Sequence, residues 1–351
     1  MAVNLDRVRN VQISKTQETA YDTAQTVDEL IRVNAGTVLQ EKVEYDDDRD
    51  LISGSEEADD QTVLAKRVEL GLSQSKCRPN TLALVGGYAL GAVATSQVGT
   101  NVYKHGFTPT TSHTTLASAT METLLLTGTQ YKYSGMFCDS FQLSIARGAD
   151  MRVALTSQWY GSGTRTAGSV AASEFAESAL NAGGTHALWL AATTYGGTTG
   201  DVLSVSTSDL TSGGTSKNAD LLGITWTVNN NVDLNFLYEP GGGQVMKLAT
   251  RIAREQELAI QLMFNDITEV DWMLNQTNLA CQWVVQGDEE DTSPSRYEGF
   301  NIIWPKLRVR VADVAEQDGR VIVSLVMFPL QDSTYGSVLL DVFTKKTTYL
   351  V

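Results

Sequence analysis

Between Tyr131 and Gly161 apolar and polar residues alternate with a period of two. Phe137, Phe141, Leu143 and Ile145 lie along one arm, Met151, Val153, Leu155 and Trp159 along the other, and Arg147-Gly148-Ala149-Asp150 stands between them. Successive side chains of a strand point to opposite faces, so this pattern predicts a long β-hairpin with one apolar face per arm. Gly299 to Ser333 repeats the design, with Leu307, Val309 and Val311 before an Asp318-Gly319 turn and Val321, Val323, Leu325 and Met327 after it. In both hairpins the odd-numbered residues form the apolar face. The predicted hairpin core is therefore Phe141, Leu143, Ile145, Val153 and Leu155 in the first copy and Leu307, Val309, Val311, Val323 and Leu325 in the second.

The remaining elements fall in the same order in each half. Glu29 to Val33 and Val38 to Glu44 predict two strands, and Val63 to Gln74 predicts another. Pro79 then opens an apolar stretch in which Leu82, Val85, Ala89 and Val93 share one helical face, although two central glycines weaken it. In the second half Ile224 to Tyr238 and Glu257 to Phe264 predict strands, and Asp266-Ile267-Thr268-Glu269 predicts a helix start with Asp266 as N-cap and Glu269 as its capping-box partner. A strand at Cys281 to Val285 precedes the second hairpin. Repetition of strand pair, loop, strand, short helix, strand and hairpin predicts an internal duplication. The expected class is mainly β: two tandem β-barrel or β-sandwich domains, each with a short flanking α-helix, at residues 1–161 and 221–351. Residues 162–220, rich in Gly, Thr, Ser and Ala, form an elaborated connection with an apolar patch at Ala187 to Ala191 and a strand expected at Val202 to Ser206. Val338 to Phe343 near the end is expected to pair with a neighbour's strand or to tuck back.

Tyr45 to Asp60 departs from this patterning, since nine of its sixteen residues are charged and only one of those is basic. Such a run repels itself and has little to bury, which predicts a long mobile loop. With 41 Asp plus Glu against 26 Lys plus Arg the formal charge is −15, unsuited to a groove that grips phosphates. Cys77, Cys138 and Cys281 stand far apart without metal-ligand or disulfide-framework spacing, and no apolar run reaches the length of a membrane span. The expectation is a protein made in a cytoplasm and not in a membrane. His105, His113 and His186 are scattered, Gly241-Gly242-Gly243 lacks the Lys-Ser/Thr of a phosphate loop, and Asp288 to Asp291 reads as a solvated face. No catalytic, cofactor-binding or metal-ligating set emerges, so the chain is not expected to be an enzyme.

Tyr133-Ser134-Gly135, Asp139 to Ile145 and Gln158 to Gly161, with Ile224 to Asn230, Val326 to Leu330 and Asp332 to Gly336, resemble the tail tube proteins of long-tailed bacteriophages. The resemblance implies a structural virion protein, made in the host cytoplasm, that self-assembles into stacked rings forming a hollow tail tube. It implies that double-stranded DNA passes through without tight binding, and it implies contacts with tape-measure, terminator and tail-tip proteins. Two fold copies per chain favour trimeric rings of pseudo-sixfold appearance, with hexameric rings as the alternative. Asp46, Asp47, Asp48, Leu51, Ile52, Glu56 and Glu57 are the expected inter-ring contacts, Leu51 and Ile52 serving as the anchor. A two-domain virion decoration or host-binding module is the competing function.

Overall fold

In the computed structural model, residues 10–34, 37, 39–48, 60–110, 116–126, 129–146, 152–162, 165–168, 177–180, 185–197, 200–210, 214–239 and 243–350 are described. Among them are twenty strands and two helices, a mainly β fold. The first half supplies β1 (Asn10–Ile13), β2 (Glu29–Arg32), β3 (Gln40–Asp48), β4 (Asp60–Gln74), α1 (Pro79–Leu90), β5 (Gly91–Gln97), β6 (Tyr103–Pro109), β7 (Ala119–Leu126), β8 (Thr129–Ala146) and β9 (Ala154–Gly161). The connection adds β10 (Arg165–Ala167), β11 (His186–Ala191) and β12 (Thr215–Ser216). The second half supplies β13 (Leu221–Asn229), β14 (Val232–Glu239), β15 (Gly243–Arg251), β16 (Glu255–Met263), α2 (Thr268–Leu274), β17 (Leu279–Thr292), β18 (Ser295–Gln317), β19 (Arg320–Pro329) and β20 (Leu339–Thr344).

Two long strands turn the corners of a sandwich. The early part of β8 pairs with β7, and its later part pairs with β9. Between them the register slips at Cys138/Ser140, one extra residue that bends the strand out of one layer and into the other. β18 repeats this: its early part pairs with β17, its later part with β19, and its register slips at Val309/Val311. Around each bent strand the same pairings recur, β1·β7·β8·β9·β4 in one half and β11·β17·β18·β19·β16 in the other.

One layer is a continuous antiparallel run in the order β3, β4, β9, β8, β13, β16, β19, β18. Alternation buries one side of it. Leu70, Leu143, Leu155, Trp159, Trp226, Leu258, Ile260, Val323, Leu325 and Met327 are fully enclosed. They belong to one apolar cluster that spans both halves and includes α1. Every residue of α1 is buried, and the helix ends at Leu90, so Val93 belongs to strand β5 instead of the helical face expected for it. The two glycines have a packing reason: a Cβ at Gly86 would stand 2.8 Å from the Leu340 side chain. β20 tucks back, pairing with β18 on one edge and β6 on the other, and so ties the halves together a second time.

Val311 departs from the predicted core. Leu307 and Val309 are buried, but the bulge that follows Val309 reverses the alternation, leaving Val311 half-buried and placing Ala312 against the core. Val321, also on the expected apolar face, is 48% exposed at the hairpin end. Phe141, Leu143, Ile145, Val153 and Leu155 are all buried, as are Val323 and Leu325. Val202 to Ser206 forms no strand.

Candidate functional site

The feature that sets this surface apart is the state of its strand edges. At the centre of the eight-strand run, β8 and β13 join the two halves in unbroken register from Ser140↔Asn229 to Ala146↔Gly223. On its other edge the same part of β8 carries β9, so both edges of this strand are filled. The corresponding part of β18, from Arg308 to Gln317, carries β19 on one edge, and among the described residues no strand occupies the other. Among the described residues β3, at the opposite end of the run, pairs with β4 alone. Each end of the run therefore presents a row of backbone N–H and C=O groups that another strand can complete.

The internal joint shows how such edges are sealed. Trp226 stands opposite Leu143 and packs edge-on against Phe141, with ring centroids 5.0 Å apart, and against Trp304 at 5.6 Å. At its end the buried Asn230 amide donates to the carbonyls of Ala89 and Cys138, each at 3.1 Å, and its oxygen accepts from Arg254 Nε. The Arg254 guanidinium also donates to the carbonyls of Ala89 and Leu90, closing the C-terminal end of α1. Burial pushes the Arg254 guanidinium down to about 9, with the neighbouring Arg251 charge adding to the effect. Sequence reasoning missed this clamp: Asn229-Asn230-Asn231 falls inside a stretch expected to be strand, and nothing in the pattern pairs it with a residue 24 positions on.

The acidic segment is more ordered at its roots than its composition predicts. β3 runs to Asp48 and β4 begins at Asp60, with Asp46↔Thr62, Asp47↔Gln61 and Asp48↔Asp60 in register. Backbone pairing, which is indifferent to side-chain charge, carries the hairpin into the acidic run. Leu51, Ile52, Glu56 and Glu57 lie outside the described residues. Near the other half, β15 pairs in parallel with the same hairpin at Gln244↔Ala65 and Val245↔Lys66.

The remaining polar clusters are structural. Glu269 is not a capping-box partner; it is buried and its carboxylate accepts from Lys217 Nζ at 2.7 Å, while Asp266 alone accepts from the Thr268 N–H at 2.8 Å. Glu177 accepts the Asn80 N–H at the start of α1 at 2.8 Å, and burial pushes its carboxyl up to about 7. Glu298 is pushed up to about 8, first by burial and then by the Glu177 charge, against the pull of Lys345. His105 is enclosed between Thr95 and the Lys346 carbonyl, and burial pushes its imidazole down to about 4. Asp288 to Asp291 belong to strand β17, where Glu290 meets Lys345 at 2.8 Å. Among the described residues no group of three or more His, Cys, Asp or Glu is placed to hold a metal ion, and no helix is long and apolar enough to cross a membrane.

A mainly β sandwich with a sealed internal edge and, among the described residues, two open outer ones is suited to joining further strands at its ends. The family described as phage tail tube protein matches residues 9–319, most of the chain, and the protein belongs to that family. No curated protein matches the chain. Membership makes it a structural component of the phage tail that associates with itself into a tube.

Proposed function

We propose that three copies of this chain close into a ring of pseudo-sixfold appearance and that such rings stack into the tail tube through which double-stranded DNA reaches the host. The observation that carries this reading is the internal joint between β8 and β13 together with the two open edges. The recurring pairings support two copies of one fold, about Val27 to Tyr160 and Leu221 to Gly336. The matching bulges at Cys138/Ser140 and Val309/Val311 place the later part of β18 where the later part of β8 stands. What β13 does for β8 inside the chain, β3 of the next chain does for β18. Head-to-tail contacts of this kind close into rings, and covalent linkage makes half of the joints intramolecular.

The β3–β4 hairpin is the element that reaches the next ring, and tape-measure, terminator and tail-tip proteins meet the bore and the two ends of the stack. Deleting residues 48–59 leaves a folded subunit that forms no tubes; normal tubes from that deletion remove the inter-ring role. Symmetry of the assembled tube tests the ring itself. Threefold symmetry with two similar, unequal sandwiches per chain supports it, and true sixfold symmetry at side-chain resolution overturns it.

A further inference from the structure

The two helices hold equivalent places in the halves and differ in what covers them. α1 packs on β8 of its own half and on β18 and β20 of the other, and all of it is buried. α2 packs on β18, with Trp272 and Met273 partly buried against the core. At its two ends Ile267 and Leu274 are 61% and 68% exposed, and Leu274 is the most exposed large apolar side chain among the described residues. Since β18 is one open edge of the eight-strand run, α2 lies behind that edge. Behind the other edge, β3, stands β10. Glu41 of β3 accepts a hydrogen bond from the Tyr133 hydroxyl at 2.9 Å and lies 3.7 Å from Arg165 of β10, and all three residues of β10 are exposed.

Strand register gives β10 the place of β20. β8 slips against β7 at Ala119/Met121 as β18 slips against β17 at Leu279/Cys281, which sets Tyr131 where Ile302 stands. Ala167 pairs with Tyr131, and Leu340 pairs with Ile302. At the internal joint the Leu340 side chain fills the space beside Gly86 of α1. At the open joint the strand offers only the methyl group of Ala167, and the helix carries the bulk. Charge is complementary as well: Asp266 and Asp271 stand at the start of α2, which has no basic residue, while Lys132 and Arg165 flank Ala167. Resting on the ring proposed above, we infer that the exposed apolar face of α2 is a docking surface whose occupant is β10, with the adjoining start of β8, of a second copy of this chain. Burial there removes two large aliphatic side chains from water. The exchange of large and small also keeps the two joints distinct, since α2 set against a β20 would place bulk against bulk.

Leu274→Lys puts a cation opposite Lys132 and Arg165, and Ala167→Glu is its reciprocal. Both positions are exposed, so the free variant subunits are expected to melt with the parent. Each single variant is expected to need an about tenfold higher protein concentration for tube assembly, read by light scattering and electron microscopy, and the double variant to recover most of that loss. A single variant that assembles like the parent overturns the docking. So does impairment of both singles without recovery in the double, which sets α2 against a different partner. If Leu274→Lys does not fold, Ile267→Lys carries the same test. True sixfold symmetry of the parent tube would instead remove the ring reading, whereas unimpaired threefold tubes from these variants remove only the docking of α2.

Discussion

Trp226 and Leu143 face each other across the joint between the two halves, and the tryptophan ring also meets Phe141 and Trp304 edge-on. Residues far apart in sequence thus share one enclosed aromatic and aliphatic cluster that draws on both halves. Trp226→Ala is expected to cost about 3–5 kcal/mol, the usual range for deleting a large buried aromatic. The measurement is a denaturant titration followed by intrinsic fluorescence. One cooperative transition moved to lower denaturant is expected; two separate transitions in the parent protein would show that the halves fold independently.

The hairpins were legible because a two-residue period survives any tertiary context that buries one face. Phe141, Leu143 and Ile145 follow it without interruption, whereas Val311 does not, because a bulge inserts a residue that local pattern cannot reveal. The helix near Pro79 was legible in its start and overextended at its end, since Val93 keeps helical spacing by coincidence after Gly91 has turned the chain at a φ of 104°. Open edges were the least legible feature. An edge is defined by the strand that is missing beside it, and the residues of β3 and the later part of β18 carry no mark of what stands next to them.

Gly86 appears to local reasoning as a defect in a helix, and alanine there as a gain of about 1 kcal/mol in helix propensity. The structure reverses the sign. A Cβ at this position meets the Leu340 side chain of β20 inside a fully buried contact, so Gly86→Ala is expected to destabilise the fold by about 1–3 kcal/mol net. Thermal unfolding monitored by circular dichroism reads the effect. In a Leu340→Ala background, itself destabilised because Leu340 is buried, Gly86→Ala should cost less than in the parent chain if the clash is its cause.

Two sets of buried groups give the stability a pH dependence. Glu298 and Glu177 bind protons more tightly when folded, about 8 and about 7, than in the unfolded chain. Their contribution is full below the ordinary glutamate range and is lost as pH rises through 7 to 8. His105, pushed down to about 4, acts oppositely: its contribution is present above the ordinary histidine range and lost as pH falls toward 4. Melting temperature is therefore expected to fall from about pH 6 to about pH 9. Glu298→Gln, which keeps the shape and removes the titration, should at least halve that fall. An unchanged slope would show that Glu298 is not its source.

The open edges yield the most decisive prediction. Cys138 and Val309 stand at equivalent bulges, which aligns Gln142 of β8 with Asp313 of β18. Inside the chain Gln142 lies opposite Thr227. Following β13·β16 and β3·β4 to their shared neighbours, β19 and β9, aligns Thr227 with Gln40, an exposed residue on β3. Gln40 of one chain should then lie opposite Asp313 of the next. Directly opposed residues in an antiparallel pair bring their Cβ atoms to about 4.5–5.5 Å, within adjustment of disulfide geometry. Within one chain these residues sit at the two ends of the eight-strand run, so a bond between them must join two chains. The Gln40→Cys/Asp313→Cys protein, assembled and oxidised, is expected to run as dimers and closed trimers on a non-reducing gel and to return to monomer on reduction, while either single variant stays monomeric. Covalent species that continue past the trimer would replace the threefold ring with a larger one, and no cross-linking in tubes that form normally would remove the β3–β18 joint altogether.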